Sequence, residues 1–399
     1  MALFFMFLLL GEPESWHAEF ASPGGPLPFE LVVLDTQPRR AYVRNADEQV
    51  YFDEVQFDPA NQQWLFRFGA YDSEIQAVQA GNQMTGKWVK RTSASTWTSL
   101  PFSAQRMLQP RARFAEPNAS SVAGSPLAER YRVTFHHVEE GDSSAIFEVY
   151  QDQPRLIGTF LTPTGDYRFL EGKHYGNQLF LSCFDGGHAF LFTATQVGDQ
   201  LQGDFWSSDK WHETWQAEPD AKAQLEDDMG MTHLRRDDPY FPFSFPDLEG
   251  NVCSDSDPAF QNKVRVISLF GSWCPNCNDE HRFLSELDQK YRKRGLAIIG
   301  IGFEVTGDPE RDRQALTKFK KRIGLEYPLL LAGAKDKSLA TEVIGNLDRI
   351  RAYPTTLFID RAGKVRAIHS GFSGPGTGSH YRELQNRFTH LIEQLLNEN

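Results

Sequence analysis

Two cysteines separated by two residues, Cys274-Pro275-Asn276-Cys277, stand between segments of opposite periodicity. Before them, Val264 to Phe270 reads as a short buried strand, and Gly271-Ser272-Trp273 turns the chain. After them, Phe283, Leu284, Leu287 and Tyr291 recur at helical spacing. The pair therefore sits where a strand ends and a helix begins. A helix N-terminus presents unpaired N–H groups and the positive end of the macrodipole, so it stabilises a thiolate. Pro275 suits the first helical turn, where a missing N–H costs nothing. Cys274 is then the accessible nucleophile, and the inward-facing Cys277 is the thiol that resolves a mixed disulfide. Glu280 follows one turn further along the same face. Two roles are open to it: a relay for the proton that Cys277 must lose, or a helix-dipole partner in the first turn.

Other uses of the motif fit less well. A structural zinc site needs a second ligand pair, and none follows at suitable spacing. His281 would make a third ligand, but on a helix already occupied by the redox pair. Covalent haem attachment needs His directly after the second Cys, where Asn278 stands. The reading implies neither metal nor organic cofactor.

The rest of the chain is organised differently. At 399 residues it is too long for one ordinary core. From 23 to 218, short alternating runs lie between turn signals, as in Leu31–Leu34, Trp64–Phe68, Tyr131–Phe135 and Leu179–Leu181, which reads as all-β. This region repeats itself with a period of roughly 115 residues, as about 27–108 and 128–218. Gly81-Asn82-Gln83-Met84-Thr85-Gly86-Lys87-Trp88 resembles Gly198-Asp199-Gln200-Leu201-Gln202-Gly203-Asp204-Phe205. Gln37-Pro38-Arg39 resembles Gln153-Pro154-Arg155, and Tyr71-Asp72 resembles Phe184-Asp185. The duplicated sheets are expected to pack as a sandwich or to close into a barrel, with either a filled interior or a ligand cavity. His136, His137, His174, His188 and His212 are scattered without metal-ligand spacing. Residues 219–240 read as a short helix followed by a charged, solvated linker, and 241–399 as α/β.

In that last region Leu296–Gly302 is a second buried strand, Asp308-Pro309 opens a helix, and Tyr327–Leu331 is a short strand. Tyr353-Pro354-Thr355-Thr356 enters another strand, Arg361-Ala362-Gly363-Lys364 turns a hairpin, and Tyr381–Leu396 forms a closing helix.

At the other end, Met1–Leu10 is nearly continuously apolar. It is too short to span a bilayer, which takes about 20 residues, but it fits a signal-peptide core of about 7–15. Residues 1–22 are therefore expected to be a signal-peptide-like segment, although no basic residue precedes the run. The 53 acidic and 41 basic side chains leave a formal charge of −12, which argues against nucleic acid as a partner. Cys183 and Cys253 are expected to be either an interdomain disulfide or two separate thiols.

The C-terminal region resembles the TlpA/ResA-like thiol–disulfide oxidoreductases of the thioredoxin superfamily. The resemblance rests on Trp273-Cys274-Pro275-Asn276-Cys277, Glu280, Pro354-Thr355-Thr356, Asp360-Arg361-Ala362-Gly363-Lys364 and Phe245-Pro246-Asp247-Leu248-Glu249-Gly250. It implies a thioredoxin fold and a cis peptide bond at Pro354, facing the cysteines. It also implies substrate contacts at Trp273, Pro275, Asn276, Tyr353 and Thr355. An extracytoplasmic location in bacteria, a disulfide-containing protein substrate and a membrane thiol electron donor follow from it. Asn278-Asp279 departs from the family, whose members often carry a basic residue after the second cysteine. The expected activity is reduction of protein disulfides by the Cys274/Cys277 dithiol. The alternatives are a redoxin-type thiol peroxidase, or a ligand- or partner-binding β module with an accessory redox domain.

Overall fold

The structure, a computed structural model, describes residues 12–109, 111–117, 124–152, 155–225, 231–235 and 238–398. Three units follow one another along the chain. The first has nine antiparallel strands: β1 (Glu14–Ser22), β2 (Gly25–Leu34), β3 (Arg40–Asn45), β4 (Glu48–Tyr51), β5 (Glu54–Asp58), β6 (Gln63–Phe68), β7 (Ser73–Ala80), β8 (Gln83–Arg91) and β9 (Trp97–Arg106). Their order is β4-β3-β2-β1-β9-β8-β7-β6-β5, an open sheet.

The second unit has the same plan with one addition. It comprises β10 (Arg130–His137), β11 (Gly141–Asp152), β12 (Arg155–Thr162), β13 (Gly165–Asp166), β14 (Leu170–Tyr175), β15 (Gln178–Phe184), β16 (Ala189–Val197), β17 (Gln200–Ser207) and β18 (Trp211–Pro219). Here β12, which forms a hairpin with β11 as β3 does with β2, also pairs with β14, from Leu156 opposite Gly172 to Gly158 opposite Leu170, and the ring closes. The duplicated region is thus one open sheet and one closed barrel, not a sandwich of two like halves. Aromatic rings fill the barrel: Phe160 stacks on Phe147 at 4.5 Å and on Phe192 at 4.4 Å.

The repeat has a structural cause. Gly86 and Gly203 occupy the same place in β8 and β17. A Cβ at either would meet the neighbouring strand's carbonyl oxygen, at 1.9 Å from Gln76 and 1.8 Å from Thr193. Glycine lets the two backbones approach there.

Two boundaries expected from the sequence shift. β1 is a central strand, paired with both β2 and β9, with Trp16, Ala18 and Phe20 fully buried. Residues 14–22 therefore belong to the first sheet, whose repeat begins well before residue 27, because their strict alternation buries one face. The apolar run Met1–Leu10 lies outside the described residues, as do Gln153-Pro154 of the repeat. Nor does the 219–240 segment, in its described residues, form a helix and a solvated linker. Among its described residues there is no helix, Ala223 is buried, Leu234 bridges to Leu347, and Thr232 hydrogen-bonds Ser370 at 2.7 Å. Backbone pairing to the third unit holds it down.

The third unit starts with a hairpin, β19 (Ser244–Pro246) and β20 (Val252–Ser254). Its sheet contains β21 (Val264–Phe270), β22 (Leu296–Glu304), β23 (Leu329–Ala334), β24 (Thr355–Ile359) and β25 (Val365–Ser370), in the order β23-β22-β21-β24-β25. β21, β22 and β23 run parallel, and β24 and β25 are antiparallel. The helices are α1 (Pro275–Tyr291), α2 (Pro309–Ile323), α3 (Lys337–Ile344) and α4 (Ser379–Asn397). Asp308 caps α2 by accepting the Arg311 N–H at 2.9 Å, and Gly324 ends it at φ 78°. Among the described residues, no helix is long and apolar enough to cross a membrane.

Candidate active site

Every residue of β21 is buried, so the turn after it emerges from a rigid strand. The turn is clamped from below. Glu304, at the end of β22, accepts the Ser272 N–H and hydroxyl, each at 2.8 Å, while the Trp273 indole N–H donates to the Phe303 carbonyl at 2.9 Å. Cys274 then caps α1: its Sγ accepts the Cys277 N–H at 3.3 Å. The same Sγ lies 3.4 Å from the Tyr353 carbonyl oxygen, and the Tyr353–Pro354 peptide bond is cis. Both cysteines are free thiols. Cys277 is fully buried, and burial, with Cys274 beside it, pushes its thiol well up.

Glu280 faces the sheet rather than solvent and is fully buried. Ser268 donates to one carboxyl oxygen at 2.6 Å and Thr356 to the other. Burial outweighs these two donors and pushes the carboxyl up to about 7. Glu304 is pushed up to about 8 for the same reason. A simple helix-dipole role needs neither burial nor hydroxyl partners.

The expected contact residues are tied into the protein itself. The accessible tip is absent: Cys274 is 8% exposed. Pro275 is buried against the second unit, where a Cβ on Gly187 would lie 2.9 Å from its ring. Asn276 donates to the Phe372 carbonyl at 3.2 Å, and a Cβ on Gly165 would come within 2.3 Å of its amide nitrogen. Thr355 is fully buried and donates to the Ala352 carbonyl at 2.8 Å. The Trp273 ring packs edge-on against Tyr353 at 5.8 Å. His281 donates to or accepts from the Tyr327 hydroxyl at 2.8 Å inside the core, and burial lowers it to about 3. Cys183 lies in the barrel core and Cys253 in the β19–β20 hairpin, both as free thiols.

The barrel thus covers the start of α1. A buried ion cluster holds it there. Arg168, 5% exposed, bonds to Asp279 of α1, to Glu48 of β4 at 2.5 Å and to Asp185 at 3.5 Å. Asp166 accepts the Gly374 N–H at 2.6 Å. One guanidinium therefore joins all three units. Asp185 also accepts the backbone N–H groups of Gly187 and His188 and pairs with the His188 ring. Burial would raise Asp185, but His188 and Arg168 overrule it and hold it at about 2. Glu48 goes the other way, to about 7, because burial and three neighbouring carboxylates outweigh Arg168. The unusual Asn278-Asp279 was the available signal. Asp279 anchors the barrel, and Asn278 bonds the Cys274 carbonyl at 2.9 Å and Arg322.

Between barrel and cysteine remains a cavity of about 380 Å³. Cys274, Asn276 and Tyr353 line one wall, and Tyr167, His188, Trp211 and Glu213 the other.

A Redoxin family model matches residues 236–384. The thiol-disulfide oxidoreductase ResA of Geobacillus thermodenitrificans is 31% identical over 129 residues, which cover 32% of this chain and 66% of that protein. ResA of Bacillus anthracis is 29% identical over 123 residues, 31% of this chain and 62% of the relative. The chain thus spans slightly less than two thirds of the length of these curated relatives. Among solved structures, a thiol-disulfide oxidoreductase from Bacteroides fragilis matches at 23% identity and a TM-score of 0.28, over 36% of this chain and 96% of the other. A thiol:disulfide interchange protein of the thioredoxin family from Chlorobium tepidum matches at 19% identity and a TM-score of 0.31, over 41% and 98%. The similarity is confined to the C-terminal region, which carries a Redoxin domain related to ResA.

Proposed function

We propose that the protein is an extracytoplasmic thiol–disulfide oxidoreductase that reduces protein disulfides through Cys274 and Cys277. The observation that carries this reading is the placement of Cys274 Sγ, at the cap of α1 and 3.4 Å from the carbonyl that precedes Pro354. The Cys274 thiolate attacks one sulfur of a substrate disulfide. The substrate S–S bond breaks, a mixed disulfide forms, and the departing sulfur takes up a proton. Cys277 then loses its proton and attacks Cys274 Sγ, which releases the second substrate thiol and leaves a Cys274–Cys277 disulfide. Two electrons have passed to the substrate. The deep burial of Cys277 makes that deprotonation the difficult step, and Glu280, held near neutrality, takes the proton directly or through water. The Tyr353–Pro354 backbone and the Trp273 ring position the substrate chain beside the sulfur. A membrane thiol donor restores the dithiol. The location rests on the family resemblance and on the apolar run Met1–Leu10, and fractionation of the native host tests it.

Insulin reduction by the full chain and by Cys274→Ser is the decisive assay. The wild-type protein is expected to turn over and the variant to be inert; undiminished turnover by the variant ends the reading.

A further inference from the structure

The barrel's closeness to Cys274 has a chemical content beyond mere coverage. The cavity wall opposite the sulfur is built on aromatic rings. Tyr167, Phe190 and Phe205 pack on one another with centroids 5.1 to 5.5 Å apart, and Trp211 stands beside them, stacked on His137 at 4.2 Å. Set into this apolar wall is one carboxylate whose pairing is incomplete. Glu213 is 8% exposed, and burial raises its carboxyl while the neighbouring Trp211 side chain favours its charged form. His137 and His212 favour its charge and Glu140 opposes it, and among the described residues no Lys or Arg forms a salt bridge with it.

The other charged groups along the cavity are already engaged. Asp166 accepts the Arg168 and Gly374 N–H groups, and His188 is tied to Asp185. Lys90, behind this wall, donates to the Gly187 carbonyl. A carboxylate among aromatic faces is the setting that recognises a cation. The rings attract it through their quadrupoles, and the acid supplies a charge-assisted hydrogen bond in a partly desolvated place. A volume of about 380 Å³ lies at the small end for ligand cavities and holds a side chain rather than a folded surface.

We infer that the barrel supplies the specificity half of the active site. The cavity takes the cationic side chain, Lys or Arg, of a polypeptide whose half-cystine lies next to it in sequence, and presents that half-cystine to Cys274. Charge complementarity commits the occupant: with Asp166 engaged beside Arg168, Glu213 is the carboxylate on the lining that no Lys or Arg among the described residues pairs with. The inference rests on the oxidoreductase reading and names its substrate class.

The test uses the full chain and a series of cysteine peptides joined by a disulfide to thionitrobenzoate, with Arg, Gly, Phe or Glu beside the cysteine. The wild-type protein is expected to show kcat/KM about tenfold higher for Arg than for Gly, the worth of one charge-assisted contact. Glu213→Gln, which keeps the shape, is expected to bring that ratio within about twofold, and Trp211→Ala to lower it further than it lowers the rate on 2-hydroxyethyl disulfide. A wild-type preference for Phe or Glu over Arg, or an Arg preference that survives Glu213→Gln, overturns the inference. Calorimetry with the same peptides carrying serine in place of cysteine separates the two readings. Selective binding of the Arg peptide, lost in Glu213→Gln, supports the cavity even if no disulfide is turned over, an outcome that would sink only the oxidoreductase reading. Equal binding of all four peptides overturns the cavity assignment with the chemistry intact.

Discussion

Asp72 and Asp185 occupy the corresponding connection in the two β units, after β6 and after β15, and both face the Redoxin domain. They do so in opposite ways. The Asp72 side chain is 39% exposed and bridges Arg91 at 2.7 Å and Arg311 of α2 at 3.1 Å. That of Asp185 is 1% exposed; it pairs with Arg168 and His188 and accepts two backbone N–H groups beside Pro275. The same residue type at the same repeat position is a surface ion pair in one unit and the keystone of a buried network in the other. The barrel's closure makes the difference. Where β12 also pairs with β14, the second unit has its own core and can press against α1. The open first unit instead takes in Phe184 from its neighbour, which packs against Phe20 at 4.7 Å and Phe29 at 5.0 Å. Asn45 receives the backbone of that same residue, its amide donating to the Phe184 carbonyl at 2.8 Å. A duplicated sequence carries over strand order, but solvation of each edge decides what the duplicated residues do.

The comparison breaks most sharply at Asp185. Asp185→Ala removes one partner of a buried ion cluster, and a loss of about 3–5 kcal/mol is expected in denaturant titration. A loss below 1 kcal/mol would mean that the cluster contributes little to docking.

The Redoxin domain offers a contrast in sign. Glu280 is raised from 4.5 in the unfolded chain to about 7 by burial. The native state thus holds this proton more tightly than the unfolded state. The stabilisation is fully present below about pH 4.5 and is lost as pH rises through about 7, a span worth roughly 3 kcal/mol. Asp185 behaves oppositely: held at about 2, it stabilises above the ordinary carboxylate range and loses that contribution on acidification. Glu280→Gln is expected to flatten the fall in stability between pH 4.5 and 7 and to remove the rise in reduction rate centred near pH 7. An unchanged pH–rate profile would take Glu280 out of the proton path.

A third pair of variants sharpens the likeness of the units. Gly86→Ala and Gly203→Ala each force a Cβ onto a neighbouring carbonyl, and each is expected to cost about 1–3 kcal/mol. Similar shifts in melting temperature would confirm equivalent register, while a large difference would show that the closed barrel tolerates the strain differently. Asp72→Ala is expected to cost less than about 1 kcal/mol, as exposed ion pairs do. A loss as large as that of Asp185→Ala would erase the distinction between the two aspartates.

Much of the third unit was legible because its signals are local. A buried strand, a turn, a proline in the first helical turn and an apolar stripe at helical spacing lie within Val264–Tyr291, and they place both cysteines without knowledge of anything else. Asp308-Pro309 marks the start of α2 in the same way. The eight-residue α3 has too few turns to leave a periodic stripe in the sequence. β1 was hidden in part because its neighbour in sequence, the apolar run before it, suggested a different use for the whole N-terminal segment.

Periodicity and caps depend on residues a few positions apart, so the chain alone specifies which segments become strands or helices and where the dithiol sits. Whether the β ring closes, whether Pro275 and Thr355 meet substrate or protein, and why Asp279 replaces a basic residue depend on other terms. These are contacts such as Arg168 with Asp279, 111 positions apart, and Asn45 with Phe184, 139 apart. Such pairs leave no periodic trace, because desolvation acts on what is near in space, and only the folded arrangement brings those groups out of water together.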